Sequence, residues 1–539
     1  MSKFNIKIWL PLVLMIIMAF GVYVGSLMNI GDAPGKLFSI KYTERDKLYD
    51  VINYITSDYV DKVNRKELTE KTIDELLTHL DPHSSYIPTR DLESVEESMA
   101  GNFYGIGVQF RQWHDSVVVI IPMEGGPSKK AGIHAGDRII TADEISLVGI
   151  NNDSIMKLLK GPGGSKVELI IYRPSKDSLL NFTIRRGSIP YKSLVSNYTI
   201  DDSIAYIKID RFAATSYNEF KKALYEMNLP KIKFVIVDLQ NNGGGLFSTA
   251  ISLTDEFLPE GRVIVYTKGR MREKEISYST SNQLLKGKGI LVLVDENSAS
   301  ASEIFSGAMQ DNDAGTVIGR RTFGKGLVQE QVNLADNSAI RLTVARYYTA
   351  SGRCIQKPYN RGTDEYYHEI MKRYTSGEMY NADSASFPDS LKFRTLSGKI
   401  VYGGGGIWPD VFVPVDTSVN YWFFNQLQRN GVLPDFVFNY FDKNRISLMK
   451  NYPTEDDFIK GFVVSNKMIT SLFAKAKEAN SVMSKTMDPK MINEIKLSIK
   501  AQLASDLYGS NAYYKVINPQ NEIYISALKY IKDFEKSTH

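Results

Sequence analysis

At 539 residues the chain exceeds one ordinary core, and roughly three to four domains are expected. Hydrophobic content of 43% with 23% charged residues excludes a disordered chain. A net charge of +4 without a long basic block gives nucleic-acid binding no support, and the one cysteine, Cys354, excludes an intrachain disulfide and paired-cysteine zinc sites.

Lys3 and Lys7 precede an uncharged stretch from Ile8 to Ile30. That length suffices for a bilayer, which takes about 20 apolar residues. The positive flank should stay cytoplasmic, placing everything after Asp32 on the periplasmic or extracytoplasmic side. Residues 1–32 are therefore expected to be a single-pass signal anchor in the cytoplasmic membrane, with a cleaved signal as the alternative.

Residues 40–100 read as helical, since "DKLYDVINYITSDYV" and "NRKELTEKTIDELLTHL" repeat apolar residues at three- and four-residue spacing. "DPHSSYIP" breaks the run. His79 and His83 are four apart, but Asp81-Pro82 lies between them, and no HExxH pair occurs. No metal and no cofactor are expected.

From 101 to 187 short strands alternate with glycines, in "FYGIGVQF", "PSKKAGIHAGDRII" and "GPGGSKVELIIYR". This segment resembles a PDZ domain. The resemblance implies that Gly105, Ile106, Gly107 and Val108 bind the carboxylate of a peptide tail, with an adjoining strand edge accepting the extended peptide.

Residues 188–417 alternate buried strands ("SIAYIKI", "KFVIVDL", "GILVLVD") with helical stretches, the pattern of an α/β core. Residues 355–400 have weak periodicity and read as an excursion. Residues 418–539 read as a helical C-terminal accessory domain without a catalytic motif.

Three core segments carry chemistry. "VIVDLQNNGGGLFSTA" is a strand running through glycines into a helix, a turn suited to holding a carboxylate, phosphate or oxyanion. In "NSASASEIFSGAMQD", Ser300 opens a helix among small neighbours. Ser300 and Glu303 also fit a capping box, which needs no catalysis. In "GRRTFGKGLVQEQV", Lys325 lies between glycines with no acid before Glu330. A lysine serves as general base only when neutral, so its pKa must fall from about 10.4 to about 7–8 through desolvation. Gln329 could orient the amine without restoring its charge, although four extended residues span about 13 Å and direct contact needs a bend, which Gly326 would permit. The P-loop match at Gly319–Lys325 lacks its Ser or Thr, and "LVQEQVNL" reads as a strand where a helix should follow.

Together these segments resemble the C-terminal processing peptidases, or tail-specific proteases, from about Tyr42 to Thr417. The resemblance implies a serine endopeptidase with Ser300 as nucleophile, Lys325 as base and Gln329 orienting the lysine. The N–H groups of Gly244 and Ala301 would form the oxyanion hole. The implied partners are protein or peptide substrates with apolar C-terminal tails, the membrane through the N-terminal helix, and an activator or adaptor. One departure concerns the family's usual DLR-x-N-P-G-G, which here reads Asp238-Leu239-Gln240-Asn241-Asn242-Gly243-Gly244-Gly245. Loss of the proline is expected to loosen the turn. Two rivals stay open: a catalytically silent PDZ scaffold, and an acyl-CoA-type enzyme on a related core.

Overall fold

The strand Phe234–Asp238 is buried at every position, as an apolar run flanked on both sides by neighbours must be. It is a central strand of a six-stranded sheet ordered Leu194–Ile200, Ile204–Ile209, Phe234–Asp238, Gly289–Val294, Thr316–Gly319 and Val411–Phe412. The first pair is antiparallel and the others parallel. The computed structural model describes residues 6–27, 44–123, 125–282, 284–418, 421–479 and 488–538.

One face of this sheet packs on the helices Ser216–Glu226, Phe247–Asp255 and Ala301–Asp311, through Phe220, Leu253 and Phe305 among others. The opposite face packs on the last helix, Glu522–Thr538, through Ile523, Tyr524, Ala527 and Ile531. The α/β expectation for the core is met. A second, antiparallel sheet joins Ser85–Ile87, Ala339–Thr349, Val263–Lys268 and Glu275–Tyr278, and Leu327–Asn333 also pairs with Ala339–Thr349.

The PDZ-like segment forms its own sheet from Val108–Trp113, Ser116–Pro122, Arg138–Ala142, Lys166–Arg173 and Ser178–Arg185, with Ile145–Ser146 alongside. Its entry strand Asn102–Gly105 pairs with its exit strand Gly187–Pro190, so the chain leaves and rejoins the core at one place. Val108–Trp113 is an edge strand.

The helices after residue 421 are more than an appendage. The last one completes the core, and those from Trp422–Arg429 to Ser510–Ile517 form a cluster that takes Val118 and Ile120 from the PDZ sheet. Arg138 pairs with Asp442 at 2.7 Å, and Arg111 donates to Pro434 O at 3.0 Å. An apolar stripe reads alike in sequence whichever surface it covers, so this placement was not legible. The segment 355–400 also departs from expectation, because it contains the helix Thr363–Thr375 with Tyr366 and Arg373 buried.

The chain divides into two units, residues 1–72 and 73–539. The first contains the helices Ile6–Leu27 and Glu44–Asp58. Among the described residues no helix is long and apolar enough to cross a membrane, which falls short of the expected transmembrane anchor. The side chains before residue 14, and Asp32, lie outside the described residues.

Candidate active site

The strand Gly289–Val294 runs through a short turn to Ser300, which precedes the helix Ala301–Asp311. Ser300 adopts φ 57° and ψ −114°, a conformation that costs a non-glycine residue about 1–3 kcal/mol. An ordinary N-cap sits in the extended region instead. The capping-box pair is in place, but its hydrogen bonds run through the Ser300 backbone. The Ser300 N–H donates to Glu303 Oε2 at 2.9 Å, and the Glu303 N–H donates to the Ser300 carbonyl at 2.8 Å. No cap bond holds the hydroxyl, which leaves it available to the cleft.

Glu303 is fully buried and ties the serine to the lysine segment. Besides Ser300, its carboxylate accepts from Thr322 Oγ1 at 2.5 Å, the Gly324 N–H at 2.7 Å and the Lys325 N–H at 2.8 Å. Burial pushes this carboxyl above its ordinary value while the four donors pull it down. Tyr347 makes a second tie, its hydroxyl lying 3.1 Å from the Ser300 carbonyl and 2.5 Å from that of Lys325.

Lys325 meets the condition set for a base. Its pKa is lowered to about 8, chiefly by burial and secondarily by the Arg341 charge, against weaker opposing pulls from Glu303 and Asp81. Among the described residues no ion pair reaches its amine. Lys357 is a useful contrast. It is also buried and also lowered to about 8, but it pairs with Glu369 at 3.2 Å and sits over the rings of Phe323 and Tyr366. Its cation has partners, as a structural lysine's should.

Ser300, Ala301, Lys325 and Gln329 line one cleft of about 610 Å³, together with Gly243, Gly244 and Gly245. An irregularity in strand pairing falls between Val328 and Gln329, where Val344 is the extra residue on the partner strand. Gln329 Nε2 is buried without a hydrogen-bond partner. The glutamine therefore reaches the cleft but is not bonded to the lysine.

The glycine turn differs from expectation in two ways. Gly244 must lack a side chain, because a Cβ there would lie 2.7 Å from Ser300 Cβ and 2.8 Å from Ala299 O. Its N–H, however, donates to Asn242 Oδ1 at 2.8 Å, so this expected oxyanion donor is already engaged. Among the described residues nothing accepts from the Gly243 or Ala301 N–H. Nor is the turn loosened by loss of the proline. Asn242 is fully buried, donates from Nδ2 to Ile209 O at 2.9 Å, and its carbonyl accepts from the Ala299 N–H at 3.0 Å and Ser302 Oγ at 2.9 Å. Hydrogen bonds replace ring rigidity. Asn242→Ala would strand a buried carbonyl and a buried N–H, costing about 2–4 kcal/mol, and should lower the urea midpoint of unfolding.

A model of peptidase family S41 matches residues 203–364, and one of the PDZ domain matches residues 105–184. A third, of a family of unknown function, matches residues 423–509. The chain is 34% identical over 320 residues to the carboxy-terminal-processing protease of Bartonella bacilliformis, covering 58% of this chain and 73% of that one. Identity to the carboxy-terminal processing protease CtpA of Bacillus subtilis is 32% over 313 residues, covering 58% and 66%. Among solved structures, the photosystem II D1 C-terminal processing protease aligns at 26% identity over 58% of this chain and 91% of that one, with a TM-score of 0.34. The chain belongs to the carboxy-terminal processing proteases of family S41. It is a serine peptidase.

The expected tail loop of this protease, Gly105–Val108, is held by its carbonyls. Gly107 has φ +74°, and a Cβ there would lie 2.8 Å from Ile189 Cδ1. The Ile106 carbonyl accepts from the Ser128 N–H at 3.0 Å and hydroxyl at 2.6 Å, and the Gly107 carbonyl from the Met123 N–H at 2.9 Å. In a trans peptide the N–H points opposite to the carbonyl, so the Gly107 and Val108 N–H groups face away from those partners. Gly105 forms an antiparallel bridge with Lys160, at the end of the helix Asn152–Leu159.

Sequence reasoning missed the support beneath the lysine segment of this protease. Arg373 donates to the carbonyls of Arg321, Thr322 and Phe323 at 2.9–3.2 Å. Arg321 in turn is held by Glu378 through bonds of 2.6 and 2.7 Å. His83, set aside as a metal ligand, bonds Tyr366 through Nε2 at 2.8 Å and is lowered to about 3 by burial and by Lys325. The one signal available was the Glu369/Arg373 pair at i,i+4, which every exposed helix also offers.

Proposed function

We propose that this protease is an endopeptidase with a Ser300–Lys325 dyad that selects substrates by their C-terminal tails. Its PDZ domain captures an apolar tail, and the cleft cuts the same chain through an acyl-enzyme. Neutral Lys325 takes the Ser300 proton, the hydroxyl oxygen attacks the amide carbonyl, and the lysine then protonates the leaving amine. The N–H groups of Ala301 and of the 243–244 turn receive the oxyanion, Gly244 once Asn242 Oδ1 releases it. Gln329 orients the amine in the substrate-bound state.

One observation carries the reading. Lys325 lines one cleft with a strained serine, is buried, and among the described residues has no carboxylate paired with its amine, at a pKa of about 8. A silent scaffold would have no use for either feature. The PDZ fold likewise disfavours a small-molecule acyl-CoA enzyme, which needs no tail-binding module.

Tail selection is tested with the full chain in mild detergent and one unfolded protein bearing an apolar or a charged C-terminus. Burial of a single apolar side chain in the PDZ groove gives about a tenfold or greater preference for the apolar tail. Equal rates for both tails would remove the PDZ domain from substrate selection.

The anchor rests on the sequence alone. Residues 1–32 hold the peptidase to the cytoplasmic membrane with its cleft outside, where an activator or adaptor has access to it. Alkaline carbonate should then leave the chain in the membrane pellet, while release into the supernatant would contradict the anchor.

A further inference from the structure

The cleft holds four charged side chains: Glu96, Arg211, Lys325 and Arg341. Three have evident occupations. Arg211 donates to Asp210 Oδ2 at 2.8 Å and Ser98 Oγ at 3.3 Å, and stacks over Tyr191 at 3.9 Å. Glu96 accepts from Gln331 Nε2 at 3.5 Å. Lys325 is the deprotonated base in the reading above.

Arg341 is different. It is half-buried on the strand Ala339–Thr349, paired across the sheet with Gln331 and Ser85, and it lines the cleft. Among the described residues no hydrogen bond, ion pair or ring contact engages its guanidinium. No carboxylate raises its pKa either, and burial alone holds it below its ordinary value. Glu96, the carboxylate of the cleft, does not pair with it.

A half-buried guanidinium without a partner loses hydration and gains nothing in return. Its neighbours Arg346 and Arg353, on or beside the same strand, do have partners: Arg346 donates to Tyr359 at 2.9 Å, and Arg353 to Asp311 at 2.7 Å. A guanidinium also presents a fixed fork of donors that matches the two oxygens of a carboxylate.

We propose that Arg341 is a specificity-determining residue that binds a carboxylate of the substrate segment lying in the cleft. The inference rests on the endopeptidase reading and adds a substrate class to it: segments carrying Asp or Glu at a fixed offset from the cut. The offset is set by the sheet. Arg341 and Tyr347 line the same cleft from one strand, six residues apart, and Tyr347 bonds the Ser300 carbonyl. At about 3.3 Å per residue, the carboxylate belongs to a residue removed from the scissile bond, not to the one being cut. This anion is distinct from the tail carboxylate, which the PDZ loop takes.

The test uses the full chain in detergent and a library of unfolded reporter proteins. All share one apolar tail, while acidic, amide and basic residues vary along the cleaved segment. Cut sites are read by mass spectrometry for wild type, R341K, R341Q and R341E. Wild type should enrich Asp or Glu over Asn or Gln by about tenfold at one offset, the range of a charge-assisted bond. R341K should keep part of that enrichment, R341Q should lose it, and R341E should shift it towards Lys or Arg. Identical cut-site profiles for wild type and R341E would overturn the proposal.

A parallel titration reads the site without turnover. S300A is mixed with C-terminally amidated peptides that differ only by Glu or Gln, amidation keeping them off the PDZ loop. Tighter binding of the Glu peptide that R341Q abolishes supports the carboxylate site even if the dyad fails. Equal binding of the two peptides overturns it even if the dyad stands. A third peptide, with Gln inside and a free terminus, tells a chain-end carboxylate from a side-chain one by whether R341Q weakens it.

Discussion

Lys325→Ala should lower kcat by about 10²–10⁴, the contribution of a positioned general base, while leaving tail binding to the PDZ domain intact. The size of the loss follows from the environment. At a pKa of about 8 the wild-type amine is partly neutral near physiological pH, whereas an ordinary lysine would be almost wholly charged. Two other buried titratable groups lie outside the cleft lining and are poor replacements. Lys357 pairs with Glu369, and His83, lowered to about 3, is too weak a base. Steady-state kinetics on an unfolded substrate, with tail affinity measured separately, checks the split. A mutant that turns over at the wild-type rate would end the dyad.

Glu303→Ala should be nearly as damaging, for a different reason. The side chain does not line the cleft. It holds three backbone N–H groups and one hydroxyl, on both sides of the dyad, in a fully buried position. Removing it strands four donors at about 1–3 kcal/mol each before relaxation. We expect about 3–5 kcal/mol of lost stability and activity reduced by a further order of magnitude or more in whatever still folds. Glu303→Gln keeps the shape but turns an amide donor towards backbone donors, and should recover stability more than rate. Urea unfolding beside kinetics separates the two. A Glu303→Ala protein with native stability and rate would show that the ties are ornamental.

How much of this was legible beforehand depends on what holds each part. Ser300, Lys325 and Gln329 could be singled out because a Ser–Lys dyad would fix residue type and spacing, and the three do line one cleft. The strands were found because burial on both faces leaves an apolar run, as in Phe234–Asp238. Glu303 was seen but read as a cap, since a capping box and a catalytic brace use the same residue at the same offset. Which backbone groups it would hold depends on where residues 322–325 return, and that is tertiary. The Asn242 turn misled for a related reason. The absent proline was visible, but the hydrogen bonds that replace it reach Ile209 and Ser302, far away in sequence. Arg373 and Glu378 lie in a stretch of weak periodicity, and the i,i+4 pair of Glu369 and Arg373 did not by itself mark them as the floor under the lysine segment. The C-terminal helices showed their apolar stripes but not what those stripes would cover.

The most direct test of the Ser300–Lys325 dyad is the rate at which a fluorophosphonate phosphonylates the protein, with loss of fluoride, followed by mass spectrometry from pH 5.5 to 10. Depression of the lysine pKa means that the reactive, neutral form is gained as pH rises. The account therefore predicts a single adduct, on Ser300, whose rate rises about tenfold per pH unit and levels off above about pH 8. Lys325→Ala should label far more slowly and without that inflection. An adduct on another residue, or a Lys325→Ala protein with the wild-type rate and profile, would contradict it.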